Sequence, residues 1–322
     1  MSHVNSLRSI MAIGAPGRPA RASGFADVPN PMAELERSFS DLEIVIERPE
    51  RTLWCYLKPQ ARPSFTEALL RDLHRLQGLI GQACERCPAD EEAPLRYVIL
   101  ASRTPGVFNL GGDLTLFSAK IRSRDRDGLR RYAHSCVEVS HRNSSGYDHG
   151  LVTIGLAQGD ALGGGWECLM SCDKLVAERR AKFALPEILF NLFPGMGAHA
   201  YLSRRVGMAK AEEIIMSGRV YTAEEMHALG VVDVLAEDGE GERAVREWIE
   251  RNGARHNAHS AMFKARRRVD PVTLEELRDV TDIWVDAAFN LTEQDLRRMS
   301  HLAAAQDRSQ RRRVAEPVVA VG

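Results

Sequence analysis

Residues 150–170 read GLVTIGLAQGDALGGGWECLM, and their interpretation decides the fold. The first half, through Ala157, is a short β-branched apolar run, the pattern of a buried strand. Three consecutive glycines then stand directly before Trp166 and Glu167. A glycine triplet suits neither helix nor strand, and a glutamate among apolar neighbours costs free energy if it is buried. The stretch is therefore either a surface turn or a place where backbone and carboxylate are both positioned for chemistry.

A second run has the same grammar. The apolar segment LRYVILAS precedes TPGVFNLGGDLTLF, in which Gly111-Gly112 leads into a helical pattern. Both glycine loops thus follow a predicted strand and open a predicted helix, the position where open α/β folds usually bind ligands. Helix N-termini carry unpaired N–H donors and partial positive charge, so two of them aimed at one point would hold an anion or the oxygen of an activated thioester. Neither loop has the G-x-G-x-x-G or G-K-[ST] spacing of nucleotide sites.

Two glutamates accompany the loops. Glu167 falls in the first turn of the helix after Gly163–Gly165, and Glu187 follows a proline in FALPEILF. An apolar setting raises a carboxyl pKa, and a second carboxyl nearby raises it further, which would give one proton donor and one acceptor near neutral pH. Taken singly, each is also explained as a charge favoured at a helix start. Ser171 lies outside a G-x-S-x-G elbow. The ten histidines show no metal-binding spacing, and Cys84-x-x-Cys87 lacks the second pair a zinc site needs.

Around these loops the chain alternates strand and helix, which predicts an α/β fold with much of the sheet parallel. Glu43–Glu47 and Thr52–Leu57 read as a hairpin, and Ser64 with Glu67 as the capping box of the next helix. Residues 127–145 are helical, DKLVAER and KFALPE are short strands, and GVVDVLAE is the last strand. Residues 1–39, rich in Ser, Pro, Gly, Ala and Arg, read as a disordered arm, and residues 40–268 as the catalytic core. Residues 269–308 form a helical C-terminal subdomain with Leu274, Leu277, Thr281, Trp284 and Ala288 on one stripe, followed by a frayed tail over 309–322.

Composition excludes several classes. A formal net charge of −1 gives no global field toward nucleic acid or an anionic membrane. The basic runs at 266–268 and 311–313 are local, read as solvated helix face or tail, with a patch for an acidic partner such as an acyl carrier protein as the alternative. No apolar run is long enough to span a membrane, no secretory signal is evident, and six cysteines are too few for a disulfide scaffold. A cytoplasmic location and no metal are expected.

The ordered motifs FNLGGDL, AQGDALGGGWECLMSCD, FALPEILFNLFPGMGAHAYLSRRVG and AEEIIMSGRVYTAEEMHALGVVDVL resemble those of the crotonase (enoyl-CoA hydratase/isomerase) superfamily. The resemblance spans about residues 42–236 and more loosely the rest. It implies a stacked ββα spiral with a helical C-terminal region and a trimer-based homo-oligomer. VFNLGGDLTLF, LPEILFNLFPGMGA and DIWVDAA most resemble the diffusible-signal-factor synthases, bacterial makers of cis-2-unsaturated fatty acid quorum-sensing signals. Carried over residue by residue, it implies oxyanion donors at the backbone N–H of Gly112 and Gly164 and an acid–base pair in Glu167 and Glu187. The implied substrate is a 3-hydroxyacyl thioester on acyl carrier protein, dehydrated and then hydrolysed to the free acid. No cofactor is implied beyond the acyl carrier protein or CoA that bears the acyl group, and a sensor-kinase receiver domain is an implied partner. Leu162, Gly163, Trp166, Leu189 and Met196, near the loops, and Trp284 on the C-terminal stripe are candidates to line an acyl channel. Ala198 stands where many superfamily members have glycine, and the long arm before Asp41 is not a family feature. The alternatives are a plain enoyl-CoA hydratase of fatty acid breakdown and a non-enzymatic binding protein on the same fold.

Overall fold

The computed structural model describes residues 31–37, 39–88 and 91–315. The disordered arm expected over 1–39 is folded in its last part: helix α1 (Pro31–Leu35) buries Pro31 and Leu35. One turn of helix is too short to show a period in sequence. Residues 1–30 lie outside the described residues.

Strands β1 (Leu42–Glu47) and β2 (Thr52–Leu57) pair antiparallel as the expected hairpin. Helix α2 (Glu67–Glu85) starts later than the capping box predicts. Its cap is Thr66, whose hydroxyl accepts from Leu69 N at 3.1 Å, while Ser64 is buried two residues upstream. The cause is a competing use of the segment. Pro63 O accepts from Leu110 N at 2.7 Å and Phe65 N donates to Gly111 O at 2.8 Å, so residues 63–65 are tied to the first glycine loop before the helix can begin.

The chain then repeats one unit. Strands β3 (Tyr97–Ser102) and β4 (Val107–Asn109) are followed by helices α3 (Leu114–Arg122) and α4 (Arg126–Ser144). Strands β5 (Val152–Ala157) and β6 (Asp160–Leu162) are followed by α5 (Gly164–Met170). Strands β7 (Lys174–Glu178) and β8 (Lys182–Ala184) lead into a 3₁₀ turn at Pro186–Phe190, then α6 (Ala198–Val206) and α7 (Met208–Ser217). In each unit the first strand enters a six-stranded sheet of order β1-β2-β3-β5-β7-β10 and the second a four-stranded sheet of order β4-β6-β8-β9. The completing strands are β9 (Tyr221–Thr222) and β10 (Val234–Ala236), with α8 (Ala223–Ala228) between them. This is the ββα spiral. All β pairs beyond the first hairpin are parallel except β8–β9. The two-residue β9 leaves no signal in sequence.

Every residue of β2, β3 and β5 is buried, because helices cover both faces of the large sheet. One face packs α2, α4 and α5. The other, with Trp54, Tyr97 and Ile154, packs α9 (Gly241–Gly253) and α10 (His256–Val269) through Val245, Ile249 and Phe263. The basic run on α10 is partly structural, since Arg266 and Arg267 bond the buried Asp173 at 2.6 and 2.7 Å.

Helix α11 (Leu274–Ala288) buries Leu277, Thr281, Trp284 and Ala288, with Leu274 half-buried. It lies along α4, tied by Arg126–Asp286, Arg130–Asp282 and Arg278–Glu138. Helix α12 (Glu293–Ala315) continues past the fraying expected at residue 309, and residues 316–322 lie outside the described residues. Among the described residues no helix is long and apolar enough to cross a membrane.

Candidate active site

The three glycines of the opening stretch have three separate reasons. Gly163 has φ +48°, a region L side chains rarely adopt, and a Cβ there would stand 2.5 Å from Glu187 Oε1. A Cβ on Gly165 would strike Asn109 O at 2.3 Å, so α5 can approach β4 this closely only without a side chain. Gly164 is the first residue of α5, and its N–H has no acceptor within the helix.

The first loop comes alongside it. Gly111 has φ +89°, and a Cβ built there would meet Gly164 N at 2.9 Å; one built on Gly164 would meet Gly112 N at 3.5 Å. The amides of Gly112 and Gly164 therefore sit side by side on one wall of a cavity. Asn109 Oδ1 holds the loop by accepting from Gly111 N at 2.7 Å. Tyr132 also braces it, accepting from Asp113 N at 3.1 Å while its hydroxyl donates to Phe65 O.

Glu167 and Glu187 line the same cavity. Glu167 is 1 % exposed, and its Oε1 accepts from Met196 N at 2.8 Å and Ala198 N at 2.9 Å. These two N–H groups come from the PGMGA turn, where Gly197 has φ +118°. Burial raises the Glu167 carboxyl to about 7, against the lowering by the two N–H bonds. Glu187, on the 3₁₀ turn after Pro186, keeps its Oε2 buried with no hydrogen-bond partner among the described residues. Burial first, and then the charge of Glu167, push it up to about 8. The two carboxyls titrate as a pair that holds one proton between them near neutrality. The N–H bonds favour the ionised form of Glu167, so that proton rests more on Glu187.

A stability effect follows from the raised value. Unfolded, Glu187 loses its proton near 4.5; folded, it keeps it until about 8. The fold is therefore penalised progressively as pH rises through that window. Glu187→Gln, which cannot ionise, is expected to exceed wild type in unfolding free energy by about 1–3 kcal/mol at pH 8.5. The difference should close below pH 4.5. Urea titrations at both pH values measure it, and an unchanged gap between them would refute the assigned ionisation.

Of the residues expected in the acyl channel, Gly163, Met196 and Trp284 line the cavity, and Leu162, Trp166 and Leu189 do not. Trp166 is fully buried on the far side of α5, 5.6 Å from the Phe183 ring. Adjacent helical residues point about 100° apart, so a Glu167 that faces the cavity turns Trp166 away. The 3₁₀ turn has three residues per turn, which aligns Phe190 with Glu187 and turns Leu189 outward. Accordingly Phe190 is buried on the wall and Leu189 is 54 % exposed. Leu162 is half-buried in β6, its carbonyl crowded against Gly111.

Phe117 and Gln306 are wall residues the sequence did not single out. The Phe117 ring packs edge-on to Trp284 at 5.1 Å, and Thr281 of α11 donates to Gly195 O at 2.8 Å. These contacts seat α11 on the turn that holds Glu167. The cavity has a volume of about 20 Å³, room for about one water.

A family model described as Enoyl-CoA hydratase/isomerase matches residues 60–305. The mitochondrial methylglutaconyl-CoA hydratase of Mus musculus is 31% identical over 174 residues, 53% of this chain and 52% of that protein. A probable enoyl-CoA hydratase of Rhizobium meliloti (strain 1021) is 44% identical over 143 residues, 43% of this chain and 54% of that protein. The chain spans about half the length of these curated relatives. An enoyl-CoA hydratase crystal structure from Bacillus halodurans superposes with a TM-score of 0.69 at 20% identity, over 81% of this chain and 100% of that one. At that identity the likeness is one of fold. The family match, however, runs through both glycine loops, both glutamates and the helices that close the cavity, so the chain belongs to the enoyl-CoA hydratase/isomerase family of the crotonase superfamily.

Proposed function

We propose that the protein is a lyase that interconverts 3-hydroxyacyl and 2-enoyl thioesters by removing or adding water. The observation that carries this reading is the carboxyl pair: Glu167 fixed by two backbone N–H groups, and Glu187 with a free buried oxygen, on one cavity with the Gly112 and Gly164 amides. The thioester oxygen accepts from the two amides, which stabilises enolate charge as it forms. One glutamate takes the α-proton, and the other gives a proton to the C3 hydroxyl, which leaves as water. The Cα–H and C3–O bonds break and the C2–C3 double bond forms.

The resemblance to signal synthases supports a further step at the same atoms. The two amides would hold the tetrahedral oxyanion of thioester hydrolysis while a glutamate takes a proton from the attacking water; the C–S bond would then break, that proton would pass to the carrier thiolate, and a cis-2-enoic acid and the free carrier thiol would leave. Incubation with a 3-hydroxyacyl thioester on CoA and on acyl carrier protein, followed by mass spectrometry, tests both steps. Free cis-2-enoic acid is expected from the full sequence of steps. A 2-enoyl thioester without release would leave the lyase alone, and no conversion on either carrier would overturn the reading.

A further inference from the structure

Gln306, on α12, is the one polar side chain of the cavity wall that comes from the C-terminal end of the chain. Its Oε1 accepts from Arg62 Nη2 at 2.6 Å. The same Nη2 reaches Ala303 O at 3.4 Å, and Arg62 Nε forms an ion pair with the Asp307 carboxylate at 3.1 Å, so one guanidinium meets a single turn of α12. A guanidinium only donates, which settles which end of the Gln306 amide faces it. The carbonyl is turned to Arg62, which leaves the NH₂ of this half-buried, cavity-lining side chain unused by the guanidinium. Among the described residues that NH₂ has no acceptor.

The chemistry proposed for the cavity contains two substrate oxygens. The thioester oxygen has two backbone donors. The C3 hydroxyl oxygen has one donor, the carboxyl that passes it a proton, and needs a second contact to stay in place while that proton moves. Among the described residues the Gln306 amide and the Trp284 indole are the side-chain N–H groups on the wall.

We propose that Gln306 donates to the C3 oxygen of the substrate and thereby selects hydroxylated over unsubstituted acyl chains, with Arg62 as the positioning residue that fixes the amide. This rests on the 3-hydroxyacyl reading of the site. Arg62 sits one residue before Pro63, whose carbonyl accepts from Leu110 N beside the first glycine loop. One short segment thus ties the reader of the C3 oxygen to the loop that holds the thioester oxygen, and fixes the spacing between the two contacts.

The experiment uses the full chain with two pantetheine thioesters of the same length, 3-hydroxydecanoyl and decanoyl, so that the carrier does not enter. Turnover of the first and affinity for the second are measured in wild type, Gln306→Met, Gln306→Glu, Arg62→Met and Arg62→Lys. Gln306→Met should lower kcat/KM for the hydroxyacyl thioester about 10-fold, the value of one hydrogen bond, and leave decanoyl affinity within about twofold. Gln306→Glu keeps its bond to Arg62, and so the seating of α12, but offers no N–H; it should show the same split. Arg62→Met should follow Gln306→Met, and Arg62→Lys should restore most of the loss. Equal losses on both thioesters, or no loss in either Gln306 variant, would overturn the role of Gln306. A wild type that neither binds nor converts 3-hydroxydecanoyl pantetheine would instead overturn the functional reading beneath it.

Discussion

Glu167→Gln and Glu187→Gln are each expected to lower dehydration of a 3-hydroxyacyl thioester about 10²- to 10⁴-fold, the usual contribution of a positioned acid or base. The fold should survive both changes. In Glu167→Gln the amide oxygen can still accept from Met196 N and Ala198 N, the two bonds that seat the side chain. In Glu187→Gln the replacement has the same shape, and the site loses an ionisation that burial opposes. In the proposed dehydration the two glutamates serve the same elimination, so the double variant should be scarcely worse than the single ones. In wild type, kcat/KM should rise and fall around pH 7–8, because one carboxyl must be ionised while the other is protonated. Either single variant should lose one limb of that bell. Rapid-quench turnover across pH 5.5–9.5, with circular dichroism as the check on folding, measures all of this. Activity near wild type in either variant would falsify the carboxyl pair as the catalytic centre.

How much of this was readable in the sequence depended on whether the cause was local. The strand–glycine–helix grammar of residues 150–170 is local, and it located both loops and Glu167. The pairing of Glu187 with Glu167 became readable through the order of several motifs, since the two lie on different elements. The apolar wall was the least readable part. Nearness in sequence suggested Trp166 and Leu189, but rotation about α5 and about the 3₁₀ turn sends both away. The residues that fill their places are Phe117 and Phe190, from two separate elements, beside the Trp284 expected from the C-terminal stripe. The N–H groups that seat Glu167 belong to a turn about 30 residues downstream, and an amide N–H has no sequence letter of its own. Gln306 is the extreme case, since only the return path of α12 brings it to the cavity. The early start predicted for α2 failed for a related reason: Ser64 and Glu67 satisfy the capping pattern, but the Gly111 loop had already claimed the backbone of residues 63–65.

The oxyanion wall is open to a test that leaves both glutamates untouched. Gly111 contacts no substrate atom in the proposed reaction, yet its φ of +89° and its surroundings fix where the Gly112 and Gly164 amides stand. A methyl group at this position would meet Leu162 O at 2.8 Å and Gly164 N at 2.9 Å, both of them backbone atoms that cannot rotate aside. The loops must then separate by several tenths of an ångström, and one donor leaves the line of the thioester oxygen. Gly111→Ala is therefore expected to cost about 100- to 1,000-fold in kcat, the penalty for losing one oxyanion donor. The strained φ adds about 1–3 kcal/mol of destabilisation, visible as a lower urea midpoint. The pH profile provides the discriminating readout. The carboxyl pair remains in place, so the residual activity should keep both limbs of the bell, unlike either Glu→Gln variant. A shifted loop should also weaken affinity for a stable enolate-like thioester analogue far more than affinity for the saturated acyl thioester. If Gly111→Ala lowers both affinities alike, the amides bind the ground state no differently from the transition state, and their catalytic role has to be abandoned.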